Sequence, residues 1–295
     1  MMKTTKYLPI LSLAVIGALY GASPALATPL LGSDLASFAV LGAAGVTNVP
    51  VSTIGGNLGS APNASVGGGY IFTSGSLQAN TSLAQNAQLQ LDTAITAVSA
   101  FGLGTLITGG DLDAWQSSNG GVISPGTYTV SAASVNLVGN LFLDGGGSNT
   151  AVWIFQMTST LITSNISNVT LQNVGDGSKV GIYWNVGSAA TLNGPTFAGN
   201  VLAHDLISSD GNLTITCGRL LSATTQVTLI QDNISITGCT NAGNSGGFDQ
   251  GVEIGSGGTG GSNGQIVSVD EPDTLGLLLA GLGFIGLGFS LRQRD

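Results

Sequence analysis

The chain has 295 residues, of which 7% are charged, against about 25% in a typical soluble domain. It carries 47 Gly, 6 Lys plus Arg, 15 Asp plus Glu and one His, for a net charge of −9. So little basic material excludes a nucleic-acid binder, which needs a basic face to neutralise phosphates, and 43% hydrophobic content excludes a disordered chain.

In chain order, residues 1–27 read as a secretory signal. Lys3 and Lys6 supply the charged region, Leu8 to Gly21 the apolar stretch and Ala25-Leu26-Ala27 a small-x-small cleavage site. At the other end, Thr274 to Leu291 has no charge and is long enough to cross a bilayer. Arg292 and Arg294 follow it and would stay on the cytoplasmic side. With Asp270-Glu271-Pro272 before it, this end resembles a PEP-CTERM sorting tail, with Asp270 where the first Pro usually stands. The resemblance implies an exosortase-type sorting enzyme as a partner and an association with extracellular polysaccharide. The expected location is therefore the cell envelope or its exterior, with the chain first held by the C-terminal membrane helix. Between the ends, only Lys179 and Arg219 remain as basic residues.

The body, residues 28–240, consists of short apolar-alternating runs such as Tyr128–Val130, Leu141–Leu143, Val152–Phe155, Val169–Leu171, Ile182–Trp184, Val227–Leu229 and Ile234–Ile236. Gly, Asn, Ser and Pro separate them, which is the strand signature. A sandwich or barrel fits these runs as well. The loose repeat Phe197-Ala-Gly-Asn200, Thr216-Cys-Gly-Arg219, Ile236-Thr-Gly-Cys239 points instead to a β-solenoid. Ser82 to Phe101 lacks Gly and Pro and spaces Leu83, Ala87, Leu91, Ala94, Ile95, Val98 and Phe101 as one helix face. Asn80 to Ser82 can cap its start and Gly102 its end. Residues 241–269 are rich in Gly, Ser and Asn and read as a linker to the tail at 270–295.

The body resembles the microbial ice-binding family. The resemblance runs from about Leu31 to Cys239. It is carried by Leu31-Gly-Ser33, Phe38-Ala-Val-Leu-Gly42, Val46-Thr-Asn48, Ile54-Gly-Gly-Asn-Leu-Gly59 and Pro125-Gly-Thr-Tyr128. The strongest blocks are Ala151-Val-Trp-Ile-Phe-Gln156, Tyr183-Trp-Asn-Val-Gly-Ser188 and Phe197-Ala-Gly-Asn-Val-Leu-Ala203. It implies a mostly β fold, a right-handed irregular β-solenoid with one long α-helix alongside. It further implies a non-enzymatic, antifreeze-like protein, without cofactor, whose partner is the ice crystal surface. A rival reading is a structural or adhesive surface protein on the same fold.

Binding a lattice calls for a flat, regularly spaced array. Strands stacked at about 4.8 Å provide the spacing, and Thr offers a methyl beside a hydroxyl on a stiff side chain. The stretches matching the family's Thr-Gly-x-Thr pattern are Asn193-Gly-Pro-Thr196 and Asp210-Gly-Asn-Leu-Thr214. With their neighbours they give Thr163, Asn165, Ser167, Asn193, Thr196, Asn212, Thr214 and Ser235 as candidate ice-binding residues. Asp210 and Asp232 would break such a face. The two cysteines, Cys217 and Cys239, lie about one turn apart in an exported body and are expected to form a disulfide.

Other chemical signals are weak. Gly243-Asn-Ser-Gly-Gly247 fits a nucleophile elbow but sits in the linker. His204 is the lone His, beside Asp205. Asp111 and Asp113 could present two carboxylates to Ca²⁺, yet lack a calcium-loop spacing.

Overall fold

The computed structural model describes residues 30–148, 150–175 and 180–236. The signal, linker and tail assignments, Lys179, Cys239 and Ser245 lie outside the described residues.

A short α1 (Ser33–Ala36) leads into β1 (Phe38–Gly42), β2 (Gly45–Gly55), β3 (Asn57–Ser60), β4 (Val66–Ser74) and β5 (Leu77–Ala79). Helix α2 (Ser82–Ser99) follows, then β6 (Thr105–Thr108) and α3 (Leu112–Ser118). The remaining strands are β7 (Gly126–Ser131), β8 (Ser134–Leu137), β9 (Asn140–Asp144), β10 (Val152–Met157), β11 (Thr160–Thr163), β12 (Asn168–Gln172), β13 (Gly181–Val186), β14 (Ala190–Leu192), β15 (Thr196–Ala203), β16 (Ile207–Ser209), β17 (Thr214–Ser222), β18 (Gln226–Leu229) and β19 (Asn233–Ser235).

These strands pair in parallel and stack into three faces. Face A runs β6, β7, β10, β13, the second half of β15, the second half of β17, β1, β3, β5. Face B runs β8, β11, β14, β16, β18 and the first half of β2. Face C runs β9, β12, the first halves of β15 and β17, β19 and the second half of β2. Strand β4 closes both B and C at one end. The repeat seen in the sequence meets the register at Asn200, which lies beside Arg219; before an irregularity in β15 the pairing runs one residue off the repeat, with Ala198 beside Thr216.

The stacking order differs from the chain order. Strand β1 sits between β17 and β3, so the first turns of the chain dock on its last ones. The chain must therefore return to the far end of the stack before β6. Helix α2 makes most of that journey. Its 18 residues span about 27 Å, more than five strand spacings of about 4.8 Å. Thr81 caps it, its hydroxyl accepting from the Ala84 N–H at 3.3 Å. The helix ends at Ser99 with Ala100 as its C-cap, two residues before the expected Gly102 stop, and Gly102 takes the positive φ just beyond.

The helix also explains why face A is buried on both sides. Ala84, Ala87, Leu91, Ala94 and Val98 form its inner stripe. They pack on Leu41, Val152, Ile154, Tyr183, Leu202 and Leu221, which point out of the coil. The alternate residues Trp153, Phe155 and Met157 point into it. Within the coil, Tyr128, Phe155, Trp184 and Phe197 form an aromatic stack with centroid separations of 5.4, 4.1 and 5.1 Å. The Trp153 and Trp184 N–H groups are satisfied by the Ile123 and Ala198 carbonyls, both at 3.0 Å. Buried Arg219 ties the start of the chain to this stack, donating to the Ala36 carbonyl at 2.6 and 3.1 Å and to Asn200 Oδ1 at 2.9 Å.

Candidate functional site

With the middle of face A covered by α2, faces B and C carry most of the open surface. Alternation decides what they show, because successive side chains of a strand point to opposite sides. On face B, Val227-Thr228-Leu229 buries its two apolar residues and turns Thr228 outward. Register places Ser208 beside Thr191 on one side and Thr228 on the other, and Thr47 next beyond Thr228. The hydroxyls of this row touch one another, Thr47 to Thr228 at 3.2 Å and Ser208 to Thr191 at 3.5 Å.

Face C shows a longer row. Asn140, Asn168, Thr196, Thr214, Asn233 and Thr53 stand in successive register, one per turn. Asn168 donates to Asn140 Oδ1 at 2.9 Å and accepts from Thr196 Oγ1 at 2.7 Å. Exposed Thr170 and Thr216 project beside the row from β12 and β17. Every residue of both rows is uncharged.

Three of the sequence candidates belong to face C: Thr196 and Thr214 in the row, and Ser235 beside it, two residues past Asn233. Asn165, Asn193 and Asn212 lie in the corners between faces B and C. Asn212 takes a left-handed φ of 59° there, which Asn tolerates better than most residues.

Thr163 and Ser167 correct the reading, since each is 1% exposed and reaches no outer surface. Thr163 lies two residues after the buried Leu161 and in register with Leu137, so it points inward. Its hydroxyl accepts from the Asn193 and Gly194 N–H groups at 2.8 and 3.2 Å, fixing the corner that launches Thr196. Ser167 donates to the Ser164 carbonyl at 2.8 Å, within the preceding corner. A side chain at Gly194 would collide with the Ser167 backbone, so the small residue in Asn193-Gly-Pro-Thr196 serves packing.

Asp232 is a second correction. It is buried and does not interrupt a face. Its carboxylate accepts from Ser209 Oγ at 2.5 Å, Ile230 N at 3.0 Å and Leu213 N at 3.1 Å. Burial pushes its pKa up, against the lowering by these three donors, and neighbouring Asp210 adds to the rise. Its own N–H donates to Ser52 Oγ, which donates to Asn48 Oδ1, both at 2.8 Å. A buried polar seam thus follows the B–C corner. Asp210, by contrast, is exposed at that corner.

Several other ionisable groups have structural partners. Asp111 caps α3, accepting from Ala114 N at 3.0 Å, and Asp113 accepts from Val138 N at 2.8 Å. His204 Nδ1 lies 3.0 Å from Asp205 Oδ1 on the surface, and this contact leads the lowering of the Asp205 pKa. The Gly146 N–H, Gln172 and Asn173 hold the Asp144 carboxyl below its ordinary range, outweighing a slight desolvation. Cys217 is buried and disulfide-bonded.

The face B row Thr47, Thr191, Ser208 and Thr228, and Asn140, Asn168, Asn233 and Thr53 on face C, were missed by motif matching. The alternation of apolar neighbours carries the signal for several of them, as in Val227-Thr228-Leu229 and Val46-Thr47.

The ice-binding-like family profile matches residues 40–235. An ice-binding protein of Nostoc sp. (strain HG1) is 30% identical over 297 aligned positions, covering 98% of this chain and 96% of that one. One from Colwellia sp. is 28% identical, covering 68% and 81%. The crystal structure of an ice-binding protein from an Antarctic biological consortium superposes with a TM-score of 0.60 at 28% identity, covering 72% of this chain and 93% of that one. The profile spans more than half of the chain, and the Nostoc relative aligns along nearly all of it: the chain belongs to the ice-binding-like family.

Proposed function

We propose that this protein binds ice, without catalysis, through the uncharged row on face C. The observation that carries this reading is the register Asn140–Asn168–Thr196–Thr214–Asn233–Thr53, one residue per turn across six turns. Stacked strands repeat it at about 4.8 Å. Threonine methyls order adjacent water and the hydroxyls and amides anchor it. The family relatives named as ice-binding proteins support the same activity. A second reading places the contact on face B, favoured by four hydroxyl residues in consecutive register, Thr191, Ser208, Thr228 and Thr47.

In this reading the coil is right-handed, as parallel crossovers almost always are. The chain is exported by residues 1–27 and held at the envelope by its PEP-CTERM-like tail, where an exosortase-type enzyme acts on it.

The test is thermal hysteresis and ice-recrystallisation inhibition by the purified chain. Both effects are expected at micromolar concentration. Their absence at high micromolar concentration overturns the proposal in favour of a structural or adhesive role.

A further inference from the structure

The two ends of the coil are closed differently. At one end, β6 is four residues long and is followed by α3, whose Leu112 and Trp115 pack over the interior. Asp111 and Asp113 add charge there. At the other end stands β4, nine residues long and pairing with β2 alone among the described residues. Its inward residues Val66, Tyr70 and Phe72 are only partly buried, and Ile71 is 58% exposed. The following strand adds Leu77, 49% exposed.

An open edge of this length presents a row of backbone N–H and C=O groups as a template for another strand. Proteins usually guard such an edge with Lys, Pro or charge. Strand β4 has neither Pro nor any charged residue. From residue 35 to residue 91 the chain holds no Asp, Glu, Lys or Arg, although its net charge is −9. This is therefore the end at which two copies can meet without like-charge repulsion.

We propose that β4 is a self-association edge, on which a second copy of this chain pairs its own β4 antiparallel about a two-fold axis. A two-fold contact uses the same patch on both subunits, and an uncharged edge suits that requirement. Residues Gly69 to Phe72, in register with Val51 to Ile54 of face C, form the centre of the pairing. Gly67, Gly68 and Gly69 leave the backbone accessible, and a side chain at Gly67 would meet nothing within 4 Å. Because the axis stands perpendicular to the sheet, the two C faces point the same way. The paired molecule carries the face C row twice over in one sheet. The inference rests on the edge and its lack of charge, and it holds whether or not face C touches ice.

Sedimentation velocity of the full chain, from low to high micromolar concentration in one detergent buffer, tests it. The expected result is a concentration-dependent shift from monomer to dimer mass. Ile71→Lys, at an exposed position, is expected to hold the chain as monomer with an unchanged melting temperature. The uncharged Ile71→Thr is expected to keep the dimer. Either a monomer at every concentration or an association that Ile71→Lys leaves intact overturns the proposal. Association through the apolar tail gives the second of these outcomes.

Discussion

The Ser209 hydroxyl donates to the Asp232 carboxylate at 2.5 Å inside the B–C corner, joining two turns of the coil. Two backbone N–H groups complete the site, and the pKa of Asp232 is nonetheless raised because burial outweighs them. A carboxyl whose folded pKa lies above its unfolded value binds its proton more tightly in the native state. Its contribution is full below the unfolded value and is lost as pH rises through the folded one. Asp144 and Asp205 have lowered values and act in the opposite sense, losing their contribution as pH falls. Melting temperatures across the acid range should therefore show the advantage of wild type over Asp232→Asn shrinking as pH rises. A difference that grows with pH contradicts this.

Lysine scanning separates the two faces. Thr214→Lys should remove most of the hysteresis, because a long, strongly hydrated cation breaks the ordered water above the row. Thr228→Lys on face B should leave most of it. Stability should change by about 0.5 kcal/mol or less in either variant. Loss with Thr228→Lys and retention with Thr214→Lys would move the site to face B.

Thr163 acts from beneath. Thr163→Val keeps the shape and removes the acceptor for the Asn193 and Gly194 N–H groups. Leaving such donors unpaired costs about 1–3 kcal/mol. Hysteresis should fall as well, since the corner no longer fixes Thr196. Calorimetry of the purified variant, together with its ice activity, checks both outcomes.

Arg219→Met leaves the Ala36 carbonyl and Asn200 without their buried donor. A cost of about 3 kcal/mol is expected from the charged hydrogen bonds lost. Differential scanning calorimetry should show a melting point lower by roughly 6–12 °C.

The bridge from Cys217 is expected to reach Cys239, the other cysteine of the chain. Closing a loop of this size stabilises by about 3 kcal/mol. Peptide mapping without reductant should recover the two cysteines linked, and reduction should lower the melting temperature.

Much of the fold was legible because its signals are local. Val152–Phe155 and Ile182–Trp184 read as strands from their composition, and the stripe from Leu83 to Phe101 read as one helix. The site was less legible. Thr163 and Ser167 matched by residue type, yet a corner resets which alternate residues face outward, and Leu161 was the local clue that Thr163 points in. The order of the turns had no local signal at all. Val40 lies beside Leu220, and nothing within a few residues of either announces a neighbour 180 positions away.

That arrangement has a consequence for assembly. Strand β1 is the first strand among the described residues, but one of its two flanks is supplied by β17 near the end of the body. A chain emerging from its N-terminus therefore exposes one side of β1 until almost the whole coil has been synthesised. Contacts this distant in sequence slow folding. The seam joining β17, β18 and β19 to β1 and β2 can seal only when these last strands are made, so an interrupted chain leaves that seam unsealed and its apolar residues open to misassembly.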